Sequence, residues 1–151
     1  MKLKQQLCCC TLGCKMGFAI KGIVRVLKKR FQEEDIALTI EQYFILNIIE
    51  NDESLILKEL AEILDRDNSA VVRHITKLEN KHFLARAKDP DDQRRKILLV
   101  TRKGLNMLEQ ARKIAQEVNN ELWQDIPEEK MKYLNNFFSD IYEEALELAN
   151  C

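Results

Sequence analysis

The sixteen residues Asp89-Pro-Asp-Asp-Gln-Arg-Arg-Lys-Ile-Leu-Leu-Val-Thr-Arg-Lys-Gly104 constrain the fold of this chain more than any other stretch. Asp89-Pro90-Asp91-Asp92 is turn chemistry, because proline fixes φ and short carboxylates bond back to nearby amides. Ile97 to Thr101 is β-prone and the segment closes at Gly104. With Phe83 to Lys88 as the outgoing strand, the whole reads as a hairpin. Its tip carries Arg94, Arg95 and Lys96 in succession. Three adjacent cations on a two-stranded ribbon suit a narrow, strongly negative groove; the plainer alternative is a solvated charge run.

The rest of the chain is patterned for helices. Apolar positions at Cys14, Phe18, Ile20, Ile23, Val24, Leu27 and Phe31 alternate at three-four spacing with Lys and Arg, which predicts a helix over roughly 5–33. Thr39 and Gln42 form a capping box that opens a second helix, with Phe44, Ile45, Ile48 and Ile49 expected inward. A β-prone patch, Leu55-Ile56-Leu57, precedes a short helix Lys58–Leu64, and Asp65-Arg66-Asp67 breaks it. Asp67 or Asn68 caps the next helix, Ser69–Lys81. Its apolar Val71, Val72, Ile75 and Leu78 leave Ser69, Arg73, His74, Thr76 and Lys77 outward.

Two short helices joined by a three-residue turn, the second exposing cations and small polar groups, make a helix-turn-helix with a reading helix, and the hairpin adds a wing. Leu105, Leu108, Ala115, Val118 and Leu122 continue into a long helix ending near Trp123. Pro127 starts a last helix with a broad apolar face from Met131 to Leu148. The expected fold class is mostly α with a small β-hairpin wing, flanked by long N- and C-terminal dimerisation helices.

The net charge of −1 conceals a strong asymmetry. Residues 1–30 hold eight Lys/Arg and no acid, residues 31–65 one against ten, residues 66–103 eleven against five, and residues 104–151 four against ten. Positive charge is thus focused where the reading helix and wing lie, as a docking face requires. Lys15, Lys21 and Arg25 interrupt the most apolar stretch, so no membrane span is expected, and the N-terminal apolar run is too short for export. The expected location is cytoplasmic. No carboxylate pair, Gly-rich phosphate loop or His-containing triad points to an enzyme, and no cofactor is expected.

In this order of parts the chain resembles the MarR family of bacterial transcription regulators over roughly residues 14–150. Asp89-Pro90-x-Asp92-x-Arg94 through Thr101-x-x-Gly104 is similar to that family's wing signature position for position, with Val100 where Leu is usual. Leu38-Thr39-x-x-Gln42, Glu59-Leu60-Ala61-x-x-Leu64 and Leu78-Glu79-x-Lys81 resemble its other recurrent positions. The chain departs from the pattern at Asp65-Arg66-Asp67 and at His82, the latter where Gly is usual. A left-handed backbone suits Asp65 nearly as well as Gly and suits His82 less.

The resemblance implies a homodimeric repressor with three parts: an N-terminal dimerisation helix over 1–36, a winged DNA-binding lobe over 37–104 and C-terminal dimerisation helices over 105–151. Its partner would be double-stranded DNA carrying an inverted repeat, and a small-molecule effector would tune it. Ser69, Arg73, His74 and Lys77 would meet the major groove. Arg94 would enter the minor groove with Asp92 orienting it, and Arg95, Lys96 and Lys88 would hold phosphates. His74 has an equally open alternative as a surface residue touching nothing. A winged-helix protein-interaction module without DNA binding is the alternative function.

Four of the five cysteines cluster as Cys8-Cys9-Cys10 and Cys14. Three readings stand open: small hydrophobes on a dimer seam, a redox sensor at Cys8 or Cys14 beside Lys2, Lys4 and Lys15, or a thiolate metal site of poor spacing. Some peroxide-sensing relatives in the resembled family carry a reactive cysteine near the start of the first helix. The tyrosines that assist it there are missing here.

Overall fold

The computed structural model describes residues 11–52, 54–92 and 94–149. In chain order these form α1 (Leu12–Glu33), α2 (Ile40–Asn51), α3 (Leu57–Ile63), α4 (Asn68–Asn80), β1 (Leu84–Lys88), β2 (Lys96–Val100), α5 (Arg102–Trp123) and α6 (Glu128–Ala149). The fold is the expected one, helical with a two-stranded antiparallel hairpin in which Leu84 faces Val100 and Lys88 faces Lys96. The chain divides into two compact units, one running to Gln116 and the other from Glu117.

In the first unit the core is built from α2, α3, α4 and the wing. Ile45, Leu46, Ile49, Leu60, Ile75, Leu78 and Leu98 are fully buried, joined by Leu108 and Ala111 of α5. The capping box at α2 forms as expected: Gln42 N–H donates to Thr39 Oγ1 at 3.2 Å and Thr39 N–H to Gln42 Oε1 at 3.1 Å. Gln42 is itself buried. The β-prone patch before α3 contributes one ladder bond, Leu98 N–H to the Leu55 carbonyl at 3.1 Å, which ties β2 to the loop ahead of α3.

Three helices end by the same device. Asp35, Asp65 and His82 have φ of 52°, 47° and 60°. In each case the next residue donates back five positions, Ile36 to Phe31, Arg66 to Ala61 and Phe83 to Leu78, at 2.8 to 3.0 Å. This is the left-handed helix stop that glycine usually supplies. Asp65 and His82 therefore take the backbone that the sequence assigned to them; Asp35 was not foreseen.

Several expectations shift. The helix predicted from residue 5 is described only from Leu12, with Thr11 as its N-cap; Cys8, Cys9 and Cys10 lie outside the described residues. Phe44, expected inward, is 47% exposed, while Leu46 is buried. At 100° per residue the buried set Gln42, Ile45, Leu46 and Ile49 defines a stripe that leaves Phe44 on the far side. The first strand starts one residue later, at Leu84, and ends at Lys88 as expected, while the second is displaced by one residue to Lys96–Val100. Leu64, expected buried, is only half-buried.

The second unit comprises the end of α5, a turn and α6. Pro127 offers its carbonyl to Met131 N–H at 3.0 Å and so opens α6. Within α6, Tyr133 stacks on Phe137 at 6.3 Å between ring centres, and Phe137 meets Phe138 edge-on at 5.8 Å. No residue of α6 is buried, and Tyr133, Phe138, Ile141, Tyr142, Leu146 and Leu148 are all exposed.

Candidate nucleic-acid interface

Helix α4 buries Val71, Ile75 and Leu78 and so must present its other side outward. Ser69, Arg73, Thr76 and Lys77 are exposed there. Asp67 occupies the N-cap position without a side-chain bond, leaving the first amides of the helix uncapped by it. Arg86 of β1 grips Glu79 near the end of α4 with two contacts, Nε to Oε1 at 3.0 Å and Nη2 to Oε2 at 3.1 Å. A rigid fork of this kind fixes the first wing strand to the reading helix.

His74 behaves differently from its neighbours. It is half-buried, and its Nδ1 is enclosed without a hydrogen-bond partner. It lies within electrostatic reach of Glu41 in the first turn of α2. The Glu41 carboxyl is held below the ordinary glutamate range chiefly by its own backbone N–H; desolvation opposes this, and the Thr39 hydroxyl, His74 and Lys28 add to it. His74 thus lies on the flank of α4 that turns toward α2.

The wing tip is shaped by carboxylates. Asp89 Oδ1 accepts the Asp91 N–H and Asp92 Oδ1 accepts the Arg94 N–H, both at 2.9 Å. Asp92 therefore positions Arg94 through its backbone; the Arg94 side chain is exposed. Lys88 and Lys96, also exposed, stand directly opposite one another. A like-charged cross-strand pair is unfavourable by itself and is relieved by an anion between or over it. Arg95 does not share this exposure, since its guanidinium turns back to Glu59 of α3.

A cleft of about 470 Å³ runs between the wing and the starts of α3 and α4, lined by Ile56, Leu57, Lys58, Asn68, Arg94, Arg95 and Lys96. It brings the three wing cations Arg94, Arg95 and Lys96 to the N-terminus of the reading helix. Lys58 and Asn68 were missed in the sequence because the first sits on α3, which the helix-turn-helix pattern treats as support, and the second was read only as a cap.

Comparison with known proteins identifies the lineage. The MarR family model matches residues 38–96, the span from the start of α2 to the wing. The HTH-type transcriptional regulator SarZ of Staphylococcus aureus is 31% identical over 101 residues, covering 67% of this chain and 67% of SarZ. The chain belongs to the MarR family. It is a transcriptional regulator of that family and not an enzyme. A MarR crystal structure superposes with a TM-score of 0.79 at 24% identity, covering 95% of this chain and 96% of that one. A mutant MarR from E. coli complexed with operator DNA superposes with a TM-score of 0.73 at 21% identity, covering 86% and 92%. At these identities the likeness speaks for the MarR fold alone.

A second depression, of about 340 Å³, lies where the end of α1 meets the start of α2. It is lined by Val24, Lys28, Phe31, Gln32, Ile36, Leu38, Thr39, Ile40 and Glu41. In the sequence, Val24 and Phe31 on its floor read only as part of the apolar face of the first helix. Cys14 is exposed at the first turn of α1 and free, its N–H bonded to Thr11 Oγ1 at 3.4 Å.

Proposed function

We propose that this regulator binds double-stranded DNA as a homodimer and acts as a cytoplasmic repressor. The observation that carries the reading is the cleft in which Lys58, Arg94 and Lys96 meet the start of α4, beside the outward row Ser69, Arg73 and Lys77. Ser69, Arg73 and Lys77 enter or border the major groove. Arg94 reaches the adjacent minor groove from a turn set by Asp92, while Lys88, Lys96 and Lys58 hold phosphates. His74 sits half-buried at the edge of this surface, and Arg95 stands behind the phosphate row. The E. coli MarR complex with operator DNA supports this use of the fold.

By role, residues 37–104 form the DNA lobe, and residues 1–36 and 105–151 form the dimer. The unpartnered apolar face of α6 supports that division. Two-fold symmetry then asks for an inverted repeat with half-sites about 10 base pairs apart. The effector is a small amphipathic molecule in the α1–α2 depression, or an oxidant acting on the exposed Cys14 thiol, with Cys8 a lesser contributor.

Selection of bound fragments from the source genome, followed by electrophoretic shifts across a salt series, tests the reading. Repressor function requires an enriched palindromic sequence and an affinity that falls steeply with salt. A protein-interaction module would recover no sequence and show no salt-dependent binding. Peroxide added to wild type, Cys8→Ser and Cys14→Ser separates thiol release from ligand release.

A further inference from the structure

Arg95 is one of three consecutive tip cations in sequence, yet its guanidinium faces the protein. Nη2 donates to both carboxylate oxygens of Glu59, at 3.0 and 3.1 Å, and to the Ser54 carbonyl at 3.1 Å. Nε is enclosed and lies 3.7 Å from Asp89 Oδ2. The hydrogen-bond acceptors come from the loop ahead of α3 and from α3 itself, and the first residue of the wing turn adds an ion pair. The Arg95 backbone closes the same turn, accepting from Asp89 N–H at 3.0 Å and donating to the Asp92 carbonyl at 2.9 Å. Glu59 is committed in turn, since its Oε2 accepts the Ile56 N–H at 3.0 Å where α3 begins.

We propose that Arg95 is a positioning residue: it braces the wing turn against α3, so that Arg94 and Lys96 on either side are presented outward to DNA. This rests on the DNA-binding reading above. A two-stranded ribbon is marginal alone, and ordering it at the moment of binding would be charged against affinity. A planar guanidinium can hydrogen-bond acceptors on two segments while facing a carboxylate on a third, which an ammonium cannot do with the same geometry. Ion pairs that solvent still reaches in part add little to global stability, so the brace acts on the order of the wing and leaves the fold largely alone.

The two roles open to Arg95 predict opposite results. As a phosphate contact, Arg95→Lys would keep most of the affinity, Arg95→Ala would lower the salt slope by about one, and Glu59→Gln would raise affinity by removing an acid beside DNA. As a brace, all three variants weaken binding, by roughly fivefold to thirtyfold, at an unchanged salt slope. Glu59→Gln is informative because the glutamine oxygen still caps Ile56 while the charge that holds Arg95 is gone.

The experiment measures the affinity of full-length protein for the best duplex from the genomic selection across a salt series, with Lys96→Ala as the phosphate-contact control. In parallel, hydrogen exchange of the Asp89 and Arg95 amides is followed in the free protein. Faster exchange in Arg95→Lys and Glu59→Gln, with affinity lost at constant slope, is the expected result. Unchanged exchange, or tighter binding by Glu59→Gln, overturns the brace. A wild type with no salt-dependent DNA affinity overturns the functional reading instead, and the exchange data then report on the brace alone.

Discussion

Gly104 lies hard against the carbonyl of Phe83: a Cβ at this position would stand 2.0 Å from the Phe83 oxygen. The same oxygen accepts the Thr101 N–H at 3.1 Å, and Thr101 Oγ1 accepts the Gly104 N–H at 3.0 Å. The start of α5 is thereby seated on the residue that opens the wing. The glycine serves close approach and not an unusual φ.

Gly104→Ala should accordingly destabilise the first unit by about 1–3 kcal/mol, since backbone and not a flexible side chain opposes the new methyl. Urea unfolding reads this directly. A midpoint equal to wild type would mean that α5 can slide off Phe83 at no cost.

Arg94→Ala should weaken binding to the selected duplex by about 1–3 kcal/mol with thermal stability close to wild type. Its side chain is exposed at the wing tip and contributes no core contact. Unaltered affinity would remove Arg94 from the interface.

His82→Gly should raise stability by about 1 kcal/mol, because His82 holds φ of 60° at the end of α4, where a side chain is disfavoured. Calorimetry checks the sign. A loss of stability would show that the imidazole earns its place by contacts.

Glu41→Gln should cost roughly 0.3–1 kcal/mol near neutral pH at low ionic strength, less in salt. Glu41 is a first-turn acid whose folded pKa is depressed. Its contribution is therefore complete above the ordinary glutamate value of about 4.3 and disappears as pH falls through the lowered folded value. Urea midpoints of the two proteins should converge on acidification; a gap that persists at low pH would assign the effect to packing.

Substituting Asp for Phe138 or Leu146, both exposed on α6, should turn a dimer into a monomer in sedimentation. A dimer that tolerates both substitutions would place the seam elsewhere.

Local chemistry is what the sequence by itself determined. Proline and carboxylates between β-prone runs specify the hairpin, Thr39 and Gln42 specify the start of α2, and three-four spacing specifies the helices, because each depends on residues within a turn of one another. The row Ser69, Arg73 and Lys77 was legible for the same reason.

What the tertiary structure alone decided are relations between residues distant in sequence. Whether Arg95 points to solvent depends on Glu59, 36 positions earlier. His74 is half-buried although Arg73 and Lys77 beside it on α4 are exposed, and the exchange of Phe44 for Leu46 follows from which side of α2 meets α4 and β2. A charge run fixes how much positive potential a segment carries. Only packing settles which of its cations a partner can touch, because an acceptor brought near by the fold competes with solvent and ligand for the same donor.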